Sequence, residues 1–170
     1  MQFFDLVSIR DGSLDSLAAR LGYKKIFVIG KEVEVIERLG SASQLRKILV
    51  SDDFETITKA LKQNDVVGMM PKSASISKKT LDALKNSDVT VFLPVTQVTC
   101  TSVGSRTHQL LKMRGWVRSA LMAKVPIALV SMAENRDGIM SSAQMLEVAS
   151  FLGMGQEKAK EALSRFGGLV

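Results

Sequence analysis

The sequence is poor in the side chains that form disulfides or bind transition metals. Its 170 residues include one cysteine, Cys100, and one histidine, His108. A single cysteine excludes an intrachain disulfide and is typical of a reducing compartment. One cysteine and one histidine make a Cys/His zinc site or a multi-histidine metal centre very improbable. We therefore expect no metal and no cofactor.

Long hydrophobic runs and glycine-rich phosphate loops are also missing. No stretch approaches the roughly 18–20 apolar residues of a membrane span. The short apolar run at the N-terminus carries Asp5 and Arg10, which a signal peptide would not. Neither G-x-x-x-x-G-K-[ST] nor G-x-G-x-x-G occurs, which disfavours a glycine-loop nucleotide site. We expect a cytoplasmic protein with no membrane partner, and 46% hydrophobic residues exclude a disordered chain.

Acidic residues are scarce in the middle third of the chain. Residues 1–71 hold ten basic and ten acidic residues, and residues 125–170 hold four and five. Residues 72–124 hold nine basic residues against Asp82 and Asp88, a net +7 in a chain whose total is +6. A basic face of this kind attracts polyanions, most often nucleic acid. A solvated helix surface with counter-ions is the alternative that composition leaves open.

Short apolar runs alternate with helical patterns, which predicts parallel β/α units. The predicted strands are FFDLVSI (3–9), IFVIG (26–30), KILV (47–50), VVGMM (66–70), VTVFLPV (89–95) and IALVS (127–131). We also consider a seventh strand at 168–170, and residues 31–40 are ambiguous between a helix and an extended segment. A full (β/α)8 barrel needs about 200 residues or more. One domain spanning 1–170 therefore fits either a doubly wound open sheet or a reduced barrel.

Several helix ends carry recognisable capping residues. Ser13, Asp53 and Ser77 precede helical patterns as candidate N-caps, and Ser141 with Gln144 forms a candidate capping box. The C-terminal stops are glycines: Gly22 ends the first helix, and Gly153 and Gly155 break the chain between the last two.

The pattern over 106–124 predicts the longest helix and the most informative one. Leu110, Met113, Val117 and Leu121 form its apolar stripe. Arg114 and Arg118 are four residues apart and share a face, which suits contact with RNA phosphates, as does Arg106 before them. The same basic neighbourhood suits His108 for contact with a phosphate or base better than for action as a catalytic base, and a cap, a surface position or a core hydrogen bond is the alternative. Lys112 and Lys124 are expected on the exposed side, whereas Trp116 is expected at the helix–sheet contact.

Four carboxylates follow or lie within predicted strands. Asp5 is inside the first strand, Asp11 follows it, and Asp52 and Asp53 follow the third. In parallel β/α folds the carboxyl ends of the strands gather where active sites lie. A metal-dependent phosphoesterase-like barrel enzyme using Asp5, Asp11 and Asp52 is thus the alternative function, although turn and capping roles explain Asp11 and Asp53. Cys100 is more typical of a buried thiol than of a nucleophile.

At several points the sequence resembles archaeal ribonuclease P protein component 3, the thirty-kilodalton subunit family. The opening Phe4-Asp5-Leu6, followed by a helix ending Leu21-Gly22-Tyr23, is similar to that family. So is the run from Arg106 through the long helix to Val125-Pro126 and a strand ending Ser131-Met132-Ala133. The likeness continues through Ala133-Glu134-Asn135 and a helix ending Phe151-Leu152-Gly153-Met154.

The chain departs from the family pattern in three places. Met132 stands where the family usually has glycine, and Met140-Ser141-Ser142 stands where it has arginine, a small residue and proline. Arg136 is the neighbouring arginine that could replace the missing one. The chain is also short between residues 30 and 90, as if a β/α unit were trimmed.

The resemblance implies a TIM-barrel-like fold, related to metal-dependent phosphoesterases but without their histidine-rich metal site. It implies a non-catalytic protein subunit of a ribonucleoprotein enzyme, in which RNA removes the 5′ leader from precursor tRNA. The implied partners are ribonuclease P RNA, precursor tRNA and component 2 of the same enzyme, often as a two-plus-two assembly. Charge and resemblance together predict these RNA contacts: Lys72, Lys78, Lys79, Arg106, His108, Lys112, Arg114, Arg118, Lys124 and Arg136.

Overall fold

The computed structural model describes residues 1–9, 14–40, 43–73, 76–96 and 103–169, with only the backbone for 103–106. These ranges contain seven β-strands, six α-helices and two short 3-10 helices, Arg136–Gly138 and Arg165–Gly168. The strands are β1 Phe4–Val7, β2 Lys25–Val28, β3 Val33–Ile36, β4 Arg46–Val50, β5 Val66–Met70, β6 Thr90–Pro94 and β7 Ile127–Val130. The helices are α1 Asp15–Leu21, α2 Phe54–Ala60, α3 Lys78–Leu84, α4 Val103–Ala123, α5 Ser142–Phe151 and α6 Gln156–Ser164.

Every strand pair in the described residues is parallel. β1 pairs with β2, and β3 to β7 form a five-stranded sheet in chain order. The α/β class and the parallel β/α units predicted from the alternation of apolar runs are therefore confirmed. The ambiguous segment 31–40 contains strand β3. The prediction of a further strand at 168–170 is wrong for Gly168, because this residue ends a 3-10 helix.

Backbone contacts also join the two sheets at both edges. Ile29, just after β2, pairs with Val33 at the start of β3. On the other side, the Met132 amide donates to the Leu6 carbonyl at 2.9 Å, and the Ser8 amide donates to the Ala133 carbonyl at 2.9 Å. Backbone contacts thus run from each strand to the next and return from β7 to β1.

Side chains alternate along the strands between two hydrophobic clusters. The inner cluster takes residues from all seven strands and from the last 3-10 helix; its buried members are Leu6, Phe27, Val33, Ile48, Met70, Phe92, Ala128, Val130 and Phe166. The outer cluster lies between the strands and the helices. Phe166 closes the inner cluster, with its ring edge-on to Phe27 at 4.8 Å and to Phe92 at 5.4 Å between centroids.

A glycine in β5 makes room for this inner packing. A Cβ on Gly68 would run into the ring of Phe92 on the neighbouring strand. Only glycine lets the aromatic ring lie this close to the backbone. The inner cluster therefore depends on a position that carries no side chain.

The helix ends match the sequence for the residues that the structure describes. Asp53 and Ser77 accept hydrogen bonds from the amides three residues on, and Ser141 forms the capping box with Gln144. Gly22 and Gly153 have positive φ angles of 82° and 90° at the helix stops. The predicted cap Ser13 lies outside the described residues, as do Asp11 and Cys100.

No helix within the described ranges combines the length and the apolar character needed to cross a bilayer.

Candidate nucleic-acid interface

Helix α4 lies with one side against the strands. Its 21 residues span about 31 Å. Met113, Trp116, Val117 and Ala120 are buried in the outer cluster, so the predicted apolar stripe is confirmed at its centre. Trp116 is only 4% exposed, and its position excludes base stacking by the indole ring.

The opposite side of α4 carries cations without counter-charges. Lys112, Arg114 and Arg118 are exposed, as are His108 before them and Lys124 after the helix. No Asp or Glu occurs anywhere from Val89 to Ala133. Within the described part of the chain, these lysines and arginines form no ion pair. Their charges therefore face solvent without local neutralisation.

Several basic residues elsewhere are paired with carboxylates. Helix α6 pairs Lys158 with Glu161 at 2.6 Å and Lys160 with Glu157 at 3.1 Å, and Arg165 also contacts Glu161. The Lys47 ammonium lies 2.6 Å from the Asp65 carboxylate, and this hydrogen bond lowers the pKa of Asp65. Since paired charges largely cancel at a distance, these paired residues add less to the positive field than the unpaired α4 cations do.

The topology distributes the predicted contacts over two ends of the molecule. In a parallel fold all strand-to-helix segments lie at one edge, the carboxyl edge. Lys72, Lys78, Lys79 and Arg136 belong to such segments and are exposed. Arg106 lies in the first turn of α4, where only the backbone is described. Lys124 follows α4 and therefore lies at the opposite edge.

Two of the lysines at the carboxyl edge already have partners. Lys72 forms an ion pair with Glu37 at 2.9 Å, and this contact lowers the pKa of Glu37. The Lys79 ammonium lies 4.0 Å from the centroid of the Phe54 ring, a cation–π contact. The sequence predicts RNA contacts for these lysines and for the arginines of α4 alike. In the structure Lys72 is paired with a carboxylate, whereas the α4 cations are not.

The C-terminus of α4 ends in a strained residue. The Val125 amide donates to the Ala120 carbonyl and the Lys124 amide to the Leu121 carbonyl, which is the Schellman pattern. α1 and α5 place glycine at the corresponding position, whereas α4 has Lys124 with φ 60°. This left-handed conformation disfavours residues other than glycine.

Met132 occupies the other non-glycine position with a positive φ in the described residues. Its φ is 55°, and its amide makes the contact to Leu6 that joins β7 to β1. Glycine would adopt this conformation without steric cost. Here Met132 instead packs its side chain against the inner cluster.

Asp5 is buried and links β1 to Ser131, the residue after β7, through hydrogen bonds. It shares the outward side of β1 with Val7 and is fully buried. Its carboxylate accepts hydrogen bonds from the Ser131 amide at 2.7 Å, the Ser131 hydroxyl at 2.6 Å and the Leu6 amide at 2.8 Å. Burial raises the pKa of Asp5 to about 6, although these hydrogen bonds oppose the rise. The pKa of the nearby Tyr23 rises through burial and through repulsion by Asp5.

Two of the three carboxylates considered for a metal site, Asp5 and Asp52, make other contacts, and Asp11 lies outside the described residues. Asp5 turns away from the inner cluster and uses its oxygens on Ser131 and Leu6. Asp52 accepts from the Lys72 and Ser73 amides at 2.9 and 3.0 Å, and so fixes the turn after β5. Asp53 caps α2. Over the described residues no three potential ligands gather into a metal-binding group.

Three exposed apolar side chains near α4 were missed by sequence reasoning. Leu111, Met122 and Phe151 are exposed by 59%, 75% and 54%. Leu111 and Met122 fall outside the predicted stripe, so a count of apolar residues around the helix would have identified them. The sequence pattern identifies Phe151 only as part of the end of a helix.

No family model matches the sequence, and no curated protein matches it. The structure is similar to a chain in a solved structure described as "cryo-EM structure of archaeal Ribonuclease P with mature tRNA". The two chains superpose with a TM-score of 0.68 at 16% sequence identity, over 99% of this chain and 80% of that one. At this identity the likeness shows that the two chains share a fold.

Proposed function

We propose that this chain is an RNA-binding protein subunit of ribonuclease P that supports RNA-catalysed removal of the 5′ leader from precursor tRNA. The fold that it shares with a chain of archaeal ribonuclease P supports this assignment. The sequence resemblance to protein component 3 of the archaeal enzyme points the same way. Because two comparisons of different kinds favour one complex, we take the protein as a non-catalytic subunit of it.

The fold we propose is a single TIM-barrel-like domain reduced to seven strands. The pairing of Ile29 with Val33 and the contacts of Met132 and Ser8 support closure of the strands into a ring. The inner cluster supports it too, since all seven strands turn side chains towards it.

The observation that carries the RNA-binding role is the unpaired charge on α4. Lys112, Arg114 and Arg118 present a cationic surface on a helix that has no carboxylate. Such a surface binds phosphates and releases their counter-ions, so its affinity falls as salt rises. Arginine adds bidentate geometry to the charge. The further contacts of this proposal are Lys72, Lys78, Lys79, Arg106, His108, Lys124 and Arg136.

The partners in this proposal are ribonuclease P RNA, precursor tRNA and component 2 of the enzyme in a two-plus-two heterotetramer. Reconstitution tests the assembly. The chain is added with its component 2 homologue to the cognate RNA, and precursor tRNA cleavage is measured. We expect faster cleavage with both proteins than with RNA alone. No stimulation, with both proteins folded, would contradict the assignment.

Two double variants test whether the α4 cations bind RNA. Arg114→Ala with Arg118→Ala removes two unpaired cations, and Lys158→Ala with Lys160→Ala removes two that are paired with glutamates. We expect the first variant to bind RNA more weakly and to reduce the slope of log K against log salt by about 0.7 per lost contact. The second should change the slope little. Equal effects of the two variants would show that α4 is the wrong surface.

A further inference from the structure

The exposed apolar residues of this protein are concentrated beside its unpaired cations. Leu111, Met122 and Phe151 are three of the four large hydrophobic side chains exposed in the described residues, and Met1 is the fourth. Scattered surface hydrophobics are ordinary, but a group of them marks a contact surface.

Leu111 and Met122 lie on the ridge of α4 that is turned away from the strands. Leu111, Gly115, Arg118 and Met122 follow one another at spacings of four, three and four residues, which place them along a single side of the helix. All of them are exposed. Nothing lies within 4 Å of where a Cβ of Gly115 would be, so the surface between Leu111 and Met122 is open.

The end of α5 lies next to α4. The Arg114 Nε lies 3.9 Å from the position that a Cβ of Gly153 would take. Gly153 follows the exposed Phe151 by two residues. We call the side of α4 that carries Leu111, Arg114, Gly115, Arg118 and Met122 the α4 crest; Phe151 lies at the neighbouring end of α5.

We propose that the α4 crest binds unpaired nucleotides of RNA, with the apolar side chains against the bases and the two arginines on the phosphates. The inference rests on the proposed RNA-binding function and specifies the kind of RNA. A base in a duplex hides its faces in the stack, whereas an unpaired base exposes a face that Phe, Leu or Met can cover. A surface built only for duplex phosphates has no use for exposed Leu111 and Met122.

The charge of the crest favours RNA over a protein partner. A protein would have to supply carboxylates matched to Arg114 and Arg118, whereas every nucleotide brings one phosphate and one base together. The two arginines are one helical turn apart, about 6 Å along the axis, a separation comparable to that of neighbouring phosphates.

The test measures binding of a fluorescent twelve-nucleotide oligouridine and of a twelve-base-pair RNA duplex over a range of salt. The variants are Leu111→Ser with Met122→Ser, Phe151→Ala, and Phe151→Leu as the conservative control. All these side chains are exposed, so each variant should unfold at the temperature of the original protein. We expect the double variant and Phe151→Ala each to weaken oligouridine binding on the order of tenfold.

The salt slope should stay unchanged in these variants because no cation is lost, and duplex affinity should change less than twofold. Phe151→Leu should lose less than Phe151→Ala. Oligouridine affinity within twofold of the original protein in all three variants would overturn the inference. So would equal losses for oligouridine and duplex, or self-association that the apolar variants abolish, which would identify a protein contact.

The arginine variant separates this inference from the proposed function. If Arg114→Ala with Arg118→Ala lowers the salt slope while the apolar variants have no effect, RNA binding stands and base contact fails. If none of the variants changes RNA binding, the proposed function and the inference fail together.

Discussion

Replacing Asp5 with asparagine should make the protein more stable at neutral pH and should remove one source of its pH dependence. The Asp5 carboxyl is fully buried, and its pKa rises from 3.8 to about 6 because burial outweighs the three hydrogen bonds that it accepts. A raised pKa means that the folded protein holds this proton more tightly than the unfolded chain. Its contribution to stability is therefore complete below pH 3.8 and is lost as the pH rises through 6.

The size of the effect follows from the shift of about two units. Each unit corresponds to about 1.36 kcal/mol, so complete ionisation of Asp5 lowers the free energy of unfolding by about 3 kcal/mol, of which about 2.4 kcal/mol falls between pH 4 and pH 7. Asparagine keeps an acceptor for the Ser131 amide and carries no charge. The stability difference between Asp5→Asn and the original protein should therefore shift by about 2.4 kcal/mol in favour of the variant over this range.

Urea unfolding at constant ionic strength, repeated at several pH values from 4 to 7, measures this difference. Other titrating groups are common to both proteins and cancel. Asp53→Asn is a control, because the Thr56 hydroxyl and amide lower the pKa of Asp53. The stability linked to this carboxyl is already present above its unfolded pKa of 3.8 and is lost only at lower pH, so the difference for this variant should stay nearly flat from about pH 4 to pH 7. A flat difference for Asp5→Asn, or one that falls with pH, would refute the reasoning by showing that the hydrogen bonds outweigh burial.

Three further substitutions test packing and backbone strain. Lys124→Gly should raise stability by about 1 kcal/mol by relieving the left-handed backbone, a rise in Tm of about 2–4 °C, whereas Lys124→Ala should bring no such gain. Phe166→Ala should lower the free energy of unfolding by about 3–5 kcal/mol if the ring closes the inner cluster, and a loss below 1 kcal/mol in urea unfolding would contradict that role. Gly68→Ala should cost about 1–3 kcal/mol through collision with Phe92. Combining Gly68→Ala with Phe92→Leu, which replaces the ring by a smaller side chain, should recover part of this cost. If the free-energy changes of the two substitutions simply add, the collision with Phe92 is not the cause.

In the proposed function, the exposed cations of α4 would let the protein assist an RNA enzyme by reducing charge repulsion. Phosphates repel one another when RNA folds or meets a second RNA, and unpaired cations reduce that repulsion. The α4 cations suit this role because no carboxylate competes for them within the described residues. The paired lysines of α6 contribute little by comparison, because Glu157 and Glu161 already neutralise them.

Local features of the fold could be read from the sequence because their causes lie within a few residues. Asp53, Ser77 and Ser141 cap helices through amides three residues away. Gly22 and Gly153 end helices because their own backbone adopts a left-handed conformation. Apolar runs predicted strands because a strand that is buried on both faces consists of such a run.

Longer-range pairings settled what local patterns left open. The alternation in Val33–Ile36 is compatible with a helix or a strand, and pairing with β4 decided for the strand. The sequence alone gives Lys72 no partner, but in the fold it contacts Glu37, 35 residues earlier in the chain.

The sequence by itself determined the α/β class, the helix ends, the burial of Trp116 and the excess of positive charge in residues 72–124. Only the tertiary structure decided the role of Asp5, because that depends on β1 lying beside Ser131, 126 residues further on. It also decided which cations stay unpaired and which apolar side chains of α4 stay exposed. Composition fixes how many charges and apolar groups exist, but their partners are set by contacts between residues far apart in the chain.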